Sequence, residues 1–207
     1  AITIHSDIDR VWKAIHDPTI KVVAQVAPAI RVALGEEFGH EPGWAEPGKV
    51  VAALKSIGVD MVFDTCFTAD LTVVEETAEF LERLSSGSRE RLPQFTSCCP
   101  AWVKYVEQYH PEYLPNLSSC KSPQQMFGAV TRRFLSRELS LVPESLYVVS
   151  VMPCTAKKFE ASRTEFAADG RPDVDAVLTT QELARMIRET GVDFDKLPIA
   201  PFDLPLG

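Results

Sequence analysis

Residues 145–154 read SLYVVSVMPC, an apolar run that ends in a proline and a cysteine. Valine and tyrosine favour strands, and a nearly continuous apolar run is typical of a strand buried on both faces of a parallel sheet. Pro153 stops the run, because proline lacks the backbone N–H that the next position of a sheet needs. The pattern therefore predicts a buried strand with Cys154 at its carboxyl end.

Similar runs alternate with helical stretches, which predicts an α/β protein with mixed or parallel sheets flanked by helices. Further strands are predicted within KVVAQVAPAI (21–30, ending at Pro28), VDMVFDTCF (59–67), PQFTSCCP (93–100, running into a turn) and the start of 174–191. Helices are predicted over 48–58, 69–87, 101–114 as far as Pro111, 122–139 and the later part of 174–191.

Capping and stop residues support these helix bounds. Ser122 can cap helix 122–139, and Pro123 suits its first turn. The expected stops are Gly58, Gly87 and Gly191. Helix 69–87 has the clearest amphipathic pattern, and its apolar positions are Leu71, Val74, Phe80, Leu81 and Leu84.

Composition and charge limit the classes of partner. With 207 residues, 45% apolar and 24% charged, the chain fits one globular core or two small lobes. A formal net charge of −8 argues against nucleic acid as the main partner, since that binding depends on Lys and Arg. The sequence has no continuous apolar run long enough for a membrane span, so none is predicted.

The N-terminal stretch AITIHSDIDRVWKAI reads like the middle of a chain, because it lacks an initiator Met and the pattern of a signal peptide. A cytoplasmic location is therefore expected, with a periplasmic one as the alternative. Five cysteines, an odd number, do not form a secreted disulfide framework. A reducing compartment or an iron–sulfur site fits them better.

Two of these cysteines are adjacent, in TSCCPAW (96–102). Neighbouring cysteines form a mutual disulfide only under strain, so Cys98 and Cys99 are expected to have separate tasks, such as binding a metal and carrying a proton. The alternative, of equal weight on this heptapeptide alone, is that both are buried apolar fillers. Because Cys66, the Cys98–Cys99 pair and Cys154 each follow a predicted strand, the sequence predicts that they converge beyond the carboxyl edge of the sheet.

TSCCPAW and, about fifty residues later, VMPCTAKKFEA resemble the first two signatures, TSCCPxW and MPCxxKxxE, of the catalytic domain of iron-only (FeFe) hydrogenases. NLSSCKSPQQMFGA, QVAPAIRVALGE and FDTCFTADLTVVEE also resemble that family. The likeness covers essentially all of residues 1–207 and implies the family's two-lobed α/β catalytic domain, in part. It also implies an enzyme that reversibly reduces protons to dihydrogen.

The resemblance implies an H-cluster, in which a 4Fe-4S cubane is linked to a two-iron subsite with CO, CN and a bridging azadithiolate. Cys99 and Cys154 match two of the cubane's ligands, and Cys98 matches the free thiol that exchanges a proton with the bridging amine. These roles suit the chemistry of sulfur, because bound thiolates hold iron whereas a free thiol releases a proton at modest cost.

The family's proton relay continues through positions that match Glu76, Ser118 and Glu79. The two glutamates are three residues apart on a predicted helix and so share a face. Without the two cysteine signatures, a solvated helix surface is the better interpretation of this glutamate-rich stretch, because glutamate is mostly exposed.

The resemblance also assigns a wall to the cluster pocket. Lys157 matches a lysine that hydrogen-bonds an iron-bound cyanide, and Glu160 is expected to hold it by charge pairing, with a plain surface role as the alternative. The residues that match the rest of the pocket lining are Ala27, Pro28, Ser122, Gln124, Met152 and Pro153.

The remaining candidate ligands have no match to the family's site. Cys66 and Cys120 are predicted to be core thiols. The four histidines form no spaced cluster, so no zinc site is expected.

The sequence departs from the family in lacking its third, glycine-rich signature, which carries two more cysteines. The missing ligands are expected in a further C-terminal hydrogenase segment, in the same or another chain; otherwise the cluster is absent. A CxxCxxC run is also missing, so electrons are expected from ferredoxin or an electron-transfer subunit or domain. At position 101 alanine stands where glycine is commoner, without expected effect on the chemistry.

Three functions compete on this evidence. The favoured one is a hydrogenase that acts on protons and dihydrogen. A non-catalytic relative, either a hydrogen sensor or an iron–sulfur assembly factor, is the alternative, although assembly-type relatives generally lack the counterparts of Cys98 and Lys157. A metal-free α/β binding domain leaves both cysteine signatures unexplained.

Overall fold

The computed structural model describes residues 5–87, 89–168 and 170–204. Its strands are β1 (Lys21–Val26), β2 (Met61–Asp64), β3 (Leu146–Val151), β4 (Ala167–Ala168), β5 (Arg171–Pro172) and β6 (Ala176–Leu178). Its α-helices are α1 (Ile8–Ile15), α2 (Ile30–Ala33), α3 (Pro47–Ser56), α4 (Cys66–Ser85), α5 (Pro100–Tyr109), α6 (Pro123–Val130), α7 (Ser136–Glu138), α8 (Ala156–Ala161) and α9 (Thr180–Glu189). A π-helical turn, Thr131–Leu135, joins α6 to α7.

Four parallel strands form the main sheet, in the order β2-β1-β3-β6. β1 and β3 carry long runs of β-branched residues and are buried on both faces, as expected for a parallel sheet between layers of helices. The short strands β4 and β5 form a separate antiparallel pair. The predicted α/β fold with a parallel sheet flanked by helices is confirmed.

The register of the sheet brings the carboxyl ends of its strands to one edge. Val26 pairs with both Asp64 and Val151, and Val151 pairs with Leu178. The loops that follow the four strands therefore leave the sheet side by side. This edge is where an open α/β sheet binds its ligands.

Helices and side chains cover the rest of the sheet. α1 packs against β1 and β6, α3 against β2, and α9 against β6. A backbone group on each edge strand is paired with a residue outside the sheet: the Val177 N–H donates to Asp7 Oδ2 (3.1 Å), and the Val62 carbonyl accepts from the Asp203 N–H (2.8 Å). These hydrogen bonds satisfy edge-strand groups that could otherwise pair with another chain.

The helix caps and stops agree with the sequence. The Gln125 N–H donates to Ser122 Oγ (3.3 Å), and Thr179 forms a capping box with Glu182. The predicted stops at Gly58, Gly87 and Gly191 have positive φ values of 107°, 74° and 72°, a conformation that favours glycine. No helix within the described ranges is long and apolar enough to cross a membrane.

Two strand predictions are wrong in extent. The strand predicted over 59–67 ends at Asp64, because α4 begins at Cys66. The strand predicted within 93–100 is reduced to a single bridge between Phe95 and Leu117, and the chain then enters α5 at Pro100. Helices α1, α2 and α8 were not predicted, because each is too short to show a clear 3.6-residue repeat.

Candidate functional site

The loops after β1 and β3 place several candidate residues at the carboxyl edge. The Ala27 N–H donates to the Val151 carbonyl (3.0 Å), and the Met152 N–H donates to the Leu178 carbonyl (2.8 Å). Ala27 and Met152 are buried, whereas Pro28 and Cys154 are exposed. The sheet therefore ends in an apolar floor, and the Cys154 thiol lies above it in an accessible loop.

The Cys98–Cys99 segment lies between the bridge at Phe95 and the start of α5. Both thiols are free and exposed, so the interpretation of this pair as buried fillers is wrong. Ser97 Oγ donates to the Cys120 carbonyl (2.9 Å), and the Ser118 N–H donates to the Phe95 carbonyl (2.7 Å). These bonds hold the cysteine segment against the loop that carries Ser118.

Lys157 joins the two cysteine signatures. Its N–H donates to the Cys154 carbonyl (3.1 Å) at the start of α8, and its ammonium donates to the Cys98 carbonyl (2.7 Å). Lys157 therefore joins residues that lie more than fifty positions apart in the sequence, with its backbone N–H on Cys154 and its side chain on Cys98. The loops of Cys98 and Cys154 thus come together, whereas convergence of the Cys66 thiol with them stays a prediction.

Glu160 anchors the Lys157 ammonium from below. Its side chain is only 3% exposed, and its Oε2 lies 3.0 Å from Lys157 Nζ. The same oxygen accepts from Ser122 Oγ (2.9 Å) and Gln124 Nε2 (3.0 Å). Two neutral donors and an ammonium compensate the burial of this carboxylate. The predicted pairing with Lys157 is confirmed, and the surface role for Glu160 is wrong.

Ser118 and Glu79 are in direct contact. Ser118 Oγ donates to Glu79 Oε2 (2.7 Å), and the Ser119 N–H donates to the same oxygen (3.1 Å). Burial raises the pKa of Glu79, but the hydrogen bonds from Ser118, Arg83 and Ser119 and the charge of Arg83 outweigh it and hold that pKa below the usual 4.5. Glu79 is therefore an ionised carboxylate with a hydroxyl donor directed at it.

Arg83 is a site residue that the sequence analysis missed. Its guanidinium is 2% exposed, lies 2.6 Å from Glu79 Oε1, and donates to the carbonyls of Asn116 (3.1 Å) and Leu117 (2.8 Å). It thus fixes Glu79 and the loop that carries Ser118 to one another. The i,i+4 spacing of Glu79 and Arg83 is the signal that could have revealed the pair.

Glu76 lies on the same inward side of α4. Its Oε1 is buried and has no hydrogen-bond partner among the residues that the structure describes. Burial, together with the charges of Glu76, Glu75 and Glu79, raises the pKa of the half-buried Cys120 thiol to about 11. Glu76 therefore offers an unused acceptor within an acidic environment.

Most of the chain matches a known protein family. Residues 20–207 match the family model described as the iron only hydrogenase large subunit, C-terminal domain. The chain belongs to this hydrogenase family. It is 48% identical to NADP-reducing hydrogenase subunit HndD of Solidesulfovibrio fructosivorans, with 100% of this chain and 36% of that protein covered.

Other relatives support the same family. The periplasmic Fe hydrogenase large subunit of Nitratidesulfovibrio vulgaris is 48% identical, with 97% of this chain and 48% of that protein covered. The solved structure of apo FeFe-hydrogenase HydA1 from Chlamydomonas reinhardtii superposes with a TM-score of 0.90 at 39% identity. That match covers 98% of this chain and 52% of the HydA1 chain. This chain thus spans about a third to a half of the length of these relatives.

A second group of relatives has another printed role. Cytosolic iron-sulfur assembly component 3 of Mus musculus is 39% identical, with 88% of this chain and 39% of that protein covered. One hydrogenase relative is named as periplasmic, so membership of the family does not decide between the cytoplasmic and periplasmic locations considered above.

Membership of the hydrogenase family implies an iron–sulfur H-cluster, and the donors in the pocket fit one. The thiols of Cys98, Cys99 and Cys154 are free and exposed, and they suit iron as soft ligands. Gln124 Oε1 is buried and lacks a partner among the described residues, so the pocket wall also holds an unused acceptor. Within the described ranges no group of three or more His, Cys, Asp or Glu side chains is placed to hold a metal ion.

Cys66 and Cys120 do not lie where the sequence predicted them. Cys66 is exposed at the first position of α4, where its N–H donates to Asp64 Oδ1 (2.9 Å) and Arg31 Nη2 lies 3.3 Å from its sulfur. The early end of β2 moves this thiol out of the core. Cys120 is half-buried beside the α4 glutamates. The core-thiol prediction is therefore wrong for Cys66 and only partly right for Cys120.

Proposed function

We propose that this chain forms half of the catalytic domain of an FeFe hydrogenase, which reversibly reduces protons to dihydrogen at an H-cluster. The observation that carries the proposal is the Lys157 bridge. A buried carboxylate holds this ammonium while it joins the Cys98 carbonyl to the helix that follows Cys154. A lysine that must face a bound anionic ligand has to be held in position, as the buried carboxylate holds Lys157, whereas an exposed surface lysine does not.

Cys99 and Cys154 would hold the 4Fe-4S cubane, with the two remaining ligands supplied by a further segment of the catalytic domain. When bound, the cluster with its two-iron subsite, CO, CN and azadithiolate ligands supplies the metal and the electrons for the reaction. Cys99 directly precedes α5, and Cys154 directly precedes the turn into α8. Each thiol is thus presented by the start of a helix rather than by a long loop, which limits its movement.

Cys98, Glu76, Ser118 and Glu79 would carry protons between the pocket and solvent. Hydrogen bonds from Ser118 and Arg83 hold the pKa of Glu79 low, so this carboxylate stays ionised and would receive protons from solvent. The Ser118 hydroxyl both donates and accepts, and it already donates to Glu79. The unused oxygen of Glu76 is the next acceptor toward the Cys98 thiol. The thiol, unlike its neighbour Cys99, stays uncoordinated and can release its proton.

Lys157 and the buried edge of the sheet would form the wall of the pocket. The Lys157 ammonium has three donors and contacts the Cys98 carbonyl and both Glu160 oxygens, so a cyanide ligand would replace one of its two contacts to Glu160. Gln124 and Ser122 act through Glu160, to which both donate. Ala27, Pro28, Met152 and Pro153 supply apolar surface that keeps water from the diatomic ligands. Electrons would come from ferredoxin or from an electron-transfer subunit or domain.

The alternative is a non-catalytic relative. The 39% identity to an assembly component is lower than the 48% identity to hydrogenase subunits, and both Cys98 and Lys157 are present. A hydrogen sensor would keep the same pocket and differ in rate. A fully loaded protein with slow turnover would therefore favour the sensor.

The test uses a chimera in which this chain replaces the matching segment of the N. vulgaris large subunit. Cys98→Ala should lower dihydrogen production at least about a hundredfold, the usual scale for losing a proton-transfer group, with iron content unchanged. Cys66→Ala, which removes another exposed thiol, is the matched control and should leave both unchanged. Full turnover in Cys98→Ala would remove the proposed proton role.

A further inference from the structure

Aromatic side chains follow one another along α5, the helix that begins directly after Cys98 and Cys99. Trp102, Tyr105 and Tyr109 lie at positions i, i+3 and i+7 and therefore share one face of the helix. The ring centroids of Trp102 and Tyr105 are 6.1 Å apart, and those of Tyr105 and Tyr109 are 5.2 Å apart. We call these three residues the aromatic row.

The aromatic row extends from the cysteine segment to the protein surface. Trp102 is partly buried, whereas Tyr105 is 46% and Tyr109 is 67% exposed. The buried residues of α5 are instead Pro100 and Val106, so packing of the core does not account for the row. Indole and phenol rings are readily oxidised by one electron, and rings in near contact can exchange electrons. The order of the three rings therefore suits electron transfer between the cysteine segment and solvent.

Tyr105 has a proton acceptor beside it. Its hydroxyl oxygen lies 3.3 Å from His110 Nε2, and His110 Nδ1 lies 3.2 Å from Glu112 Oε1. Glu112 is ionised, because hydrogen bonds from its own backbone N–H and from His110 hold its pKa below the usual 4.5. An ionised carboxylate only accepts hydrogen bonds, so Nδ1 carries the imidazole proton and Nε2 is left as an acceptor. The Tyr105 hydroxyl therefore donates to His110 Nε2.

The hydrogen bond to His110 distinguishes Tyr105 from the other tyrosines. A neutral phenol that loses an electron also loses its proton, and a positioned base assists that loss. Among the four tyrosines of the chain, Tyr105 is the one to which the described residues offer a histidine nitrogen as acceptor. An aromatic face that served only for docking would need neither the imidazole nor the carboxylate of Glu112. The arrangement therefore favours oxidation of Tyr105 over a role in contact alone.

We propose that the aromatic row conducts oxidising equivalents from the cysteine segment to the surface and that Tyr105 is its redox-active tyrosine. A one-electron oxidant that arises beside Cys98, such as an oxygen-derived radical, takes an electron from the Trp102 indole. Trp102 then takes an electron from Tyr105, whose proton passes to His110 Nε2.

Tyr109 completes the sequence at the surface. It gives an electron to Tyr105, which recovers its proton from His110, and the Tyr109 hydroxyl releases its own proton to water. A soluble thiol then restores Tyr109 by giving it a hydrogen atom. The net result is one electron delivered to the oxidant and one proton released to water, both from the thiol. The sequence uses only side chains of this chain, so it can be tested without a cluster and without turnover.

The test places a photo-oxidant at the start of the aromatic row. A ruthenium polypyridyl complex is attached to Cys98 of the full chain, in which the other four cysteines are replaced by alanine, and a flash with a cobalt(III) quencher generates Ru(III). Electron paramagnetic resonance of rapidly frozen samples should then show a neutral tyrosyl radical. Tyr105→Phe should remove most of this signal. Tyr147→Phe, which removes the tyrosine of β3, is the matched control and should preserve it.

A second variant tests the proton acceptor. His110→Phe keeps a ring in place but removes the acceptor, and it should slow the appearance of the tyrosyl radical about a hundredfold, the lower end of what a positioned base contributes. His16→Phe is the matched control and should leave the rate unchanged, because His16 is an exposed histidine whose ring contacts Trp12, outside the aromatic row. Transient absorption gives both rates. A merely structural role for His110 would change the melting temperature without changing the rate.

Two results would overturn the proposal. A tyrosyl signal of equal size in Tyr105→Phe would show that the aromatic face serves only for packing or docking. Equal rates in His110→Phe and His16→Phe would exclude His110 as the proton acceptor. If either Tyr105→Phe or His110→Phe unfolds the chain, as circular dichroism would show, Glu112→Ala at a 61% exposed side chain takes its place. Glu112→Ala should also slow the radical, and an unchanged rate contradicts the proposal.

Discussion

The main sheet and helix α4 bury their side chains in opposite ways. In β1 and β3 the valines fill the core and the chain supplies every layer around them. In α4 the buried positions are threonine and arginine, and the large apolar residues face outward. The sheet is therefore buried by the residues that the structure describes, whereas the same residues leave the large apolar side chains of α4 exposed.

The difference separates two parts of the candidate site. Lys157 and Glu160 belong to the sheet side, where buried partners hold them. Glu76, Glu79 and Ser118 belong to the α4 side, where Arg83 and Glu79 tie the helix to the loop by side-chain hydrogen bonds. We expect the pocket wall, whose partners are buried, to be more rigid than the Ser118–Glu79 contact at the edge of α4.

The largest expected effect lies on the sheet side. Glu160→Ala leaves the Lys157 ammonium and the donors of Ser122 and Gln124 without their acceptor, and removing one partner of a buried ion pair costs about 3–5 kcal/mol. Urea unfolding of the chain measures this loss. Glu144→Ala, at an exposed position, is the control and should cost less than about 0.5 kcal/mol. Equal losses in the two variants would contradict the buried contacts of Glu160 with Lys157, Ser122 and Gln124.

The comparison itself is tested by two leucines. Leu183 is fully buried in α9, and Leu183→Ala should lower the free energy of unfolding by about 2–5 kcal/mol. Leu81→Ala, at an exposed position of α4, should change it by less than about 0.5 kcal/mol. A large loss from Leu81→Ala would show that α4 is already packed, and the contrast between the two regions would fail.

The thiols of Cys66 and Cys120 should differ in reactivity. The pKa of Cys120 is raised from 9.0 to about 11 by burial and the neighbouring glutamates, which lowers its thiolate fraction at pH 8 about a hundredfold. Cys120 should therefore react with iodoacetamide much more slowly than the exposed Cys66. Mass spectrometry of timed alkylation gives both rates, and similar values would contradict the half-buried, acidic environment of Cys120.

The smallest expected effect is the pH dependence of the Glu79 contacts. Because its folded pKa lies below the ordinary 4.5, ionised Glu79 stabilises the chain fully above about pH 4.5 and loses that contribution as the pH falls through the lowered value. The contribution is about 1 kcal/mol, typical of hydrogen bonds to a partly buried charge. The stability gap between the chain and Glu79→Gln should therefore close in acid. A gap that stays constant from pH 7 to the acid limit would exclude this linkage.

The sequence predicted the sheet because its strands carry their own signal. Val22, Val23 and Val148 belong to apolar runs whose burial needs no information beyond the run. The same holds for the carboxyl edge, since Pro28 and Pro153 end two of the strands that meet there. The approach of the Cys98 loop to the Cys154 loop does not follow from the sheet, because Cys98 follows a single bridge outside it, and is made through Lys157.

The orientation of α4 could not be predicted in the same way. A 3.6-residue pattern shows that a helix is amphipathic, but it does not show whether the apolar side meets this chain or another. The pairing of Glu160 with Lys157 was predicted, but the burial of Glu160 was not, because it depends on Ser122 and Gln124, which lie more than thirty residues away in the sequence. The exposure of Cys66 depended on where β2 ends, and strand ends are weakly specified by composition.

Infrared absorption of metal-bound carbonyl and cyanide, recorded on the anaerobically matured chimera, tests the central claim most directly. The proposed cluster site predicts both sets of bands in the wild type and in the exposed-thiol control Cys66→Ser, and their loss in Cys154→Ser. Bands that persist unchanged in Cys154→Ser, or that are absent from the matured wild type, would contradict a cluster held by the two cysteine loops.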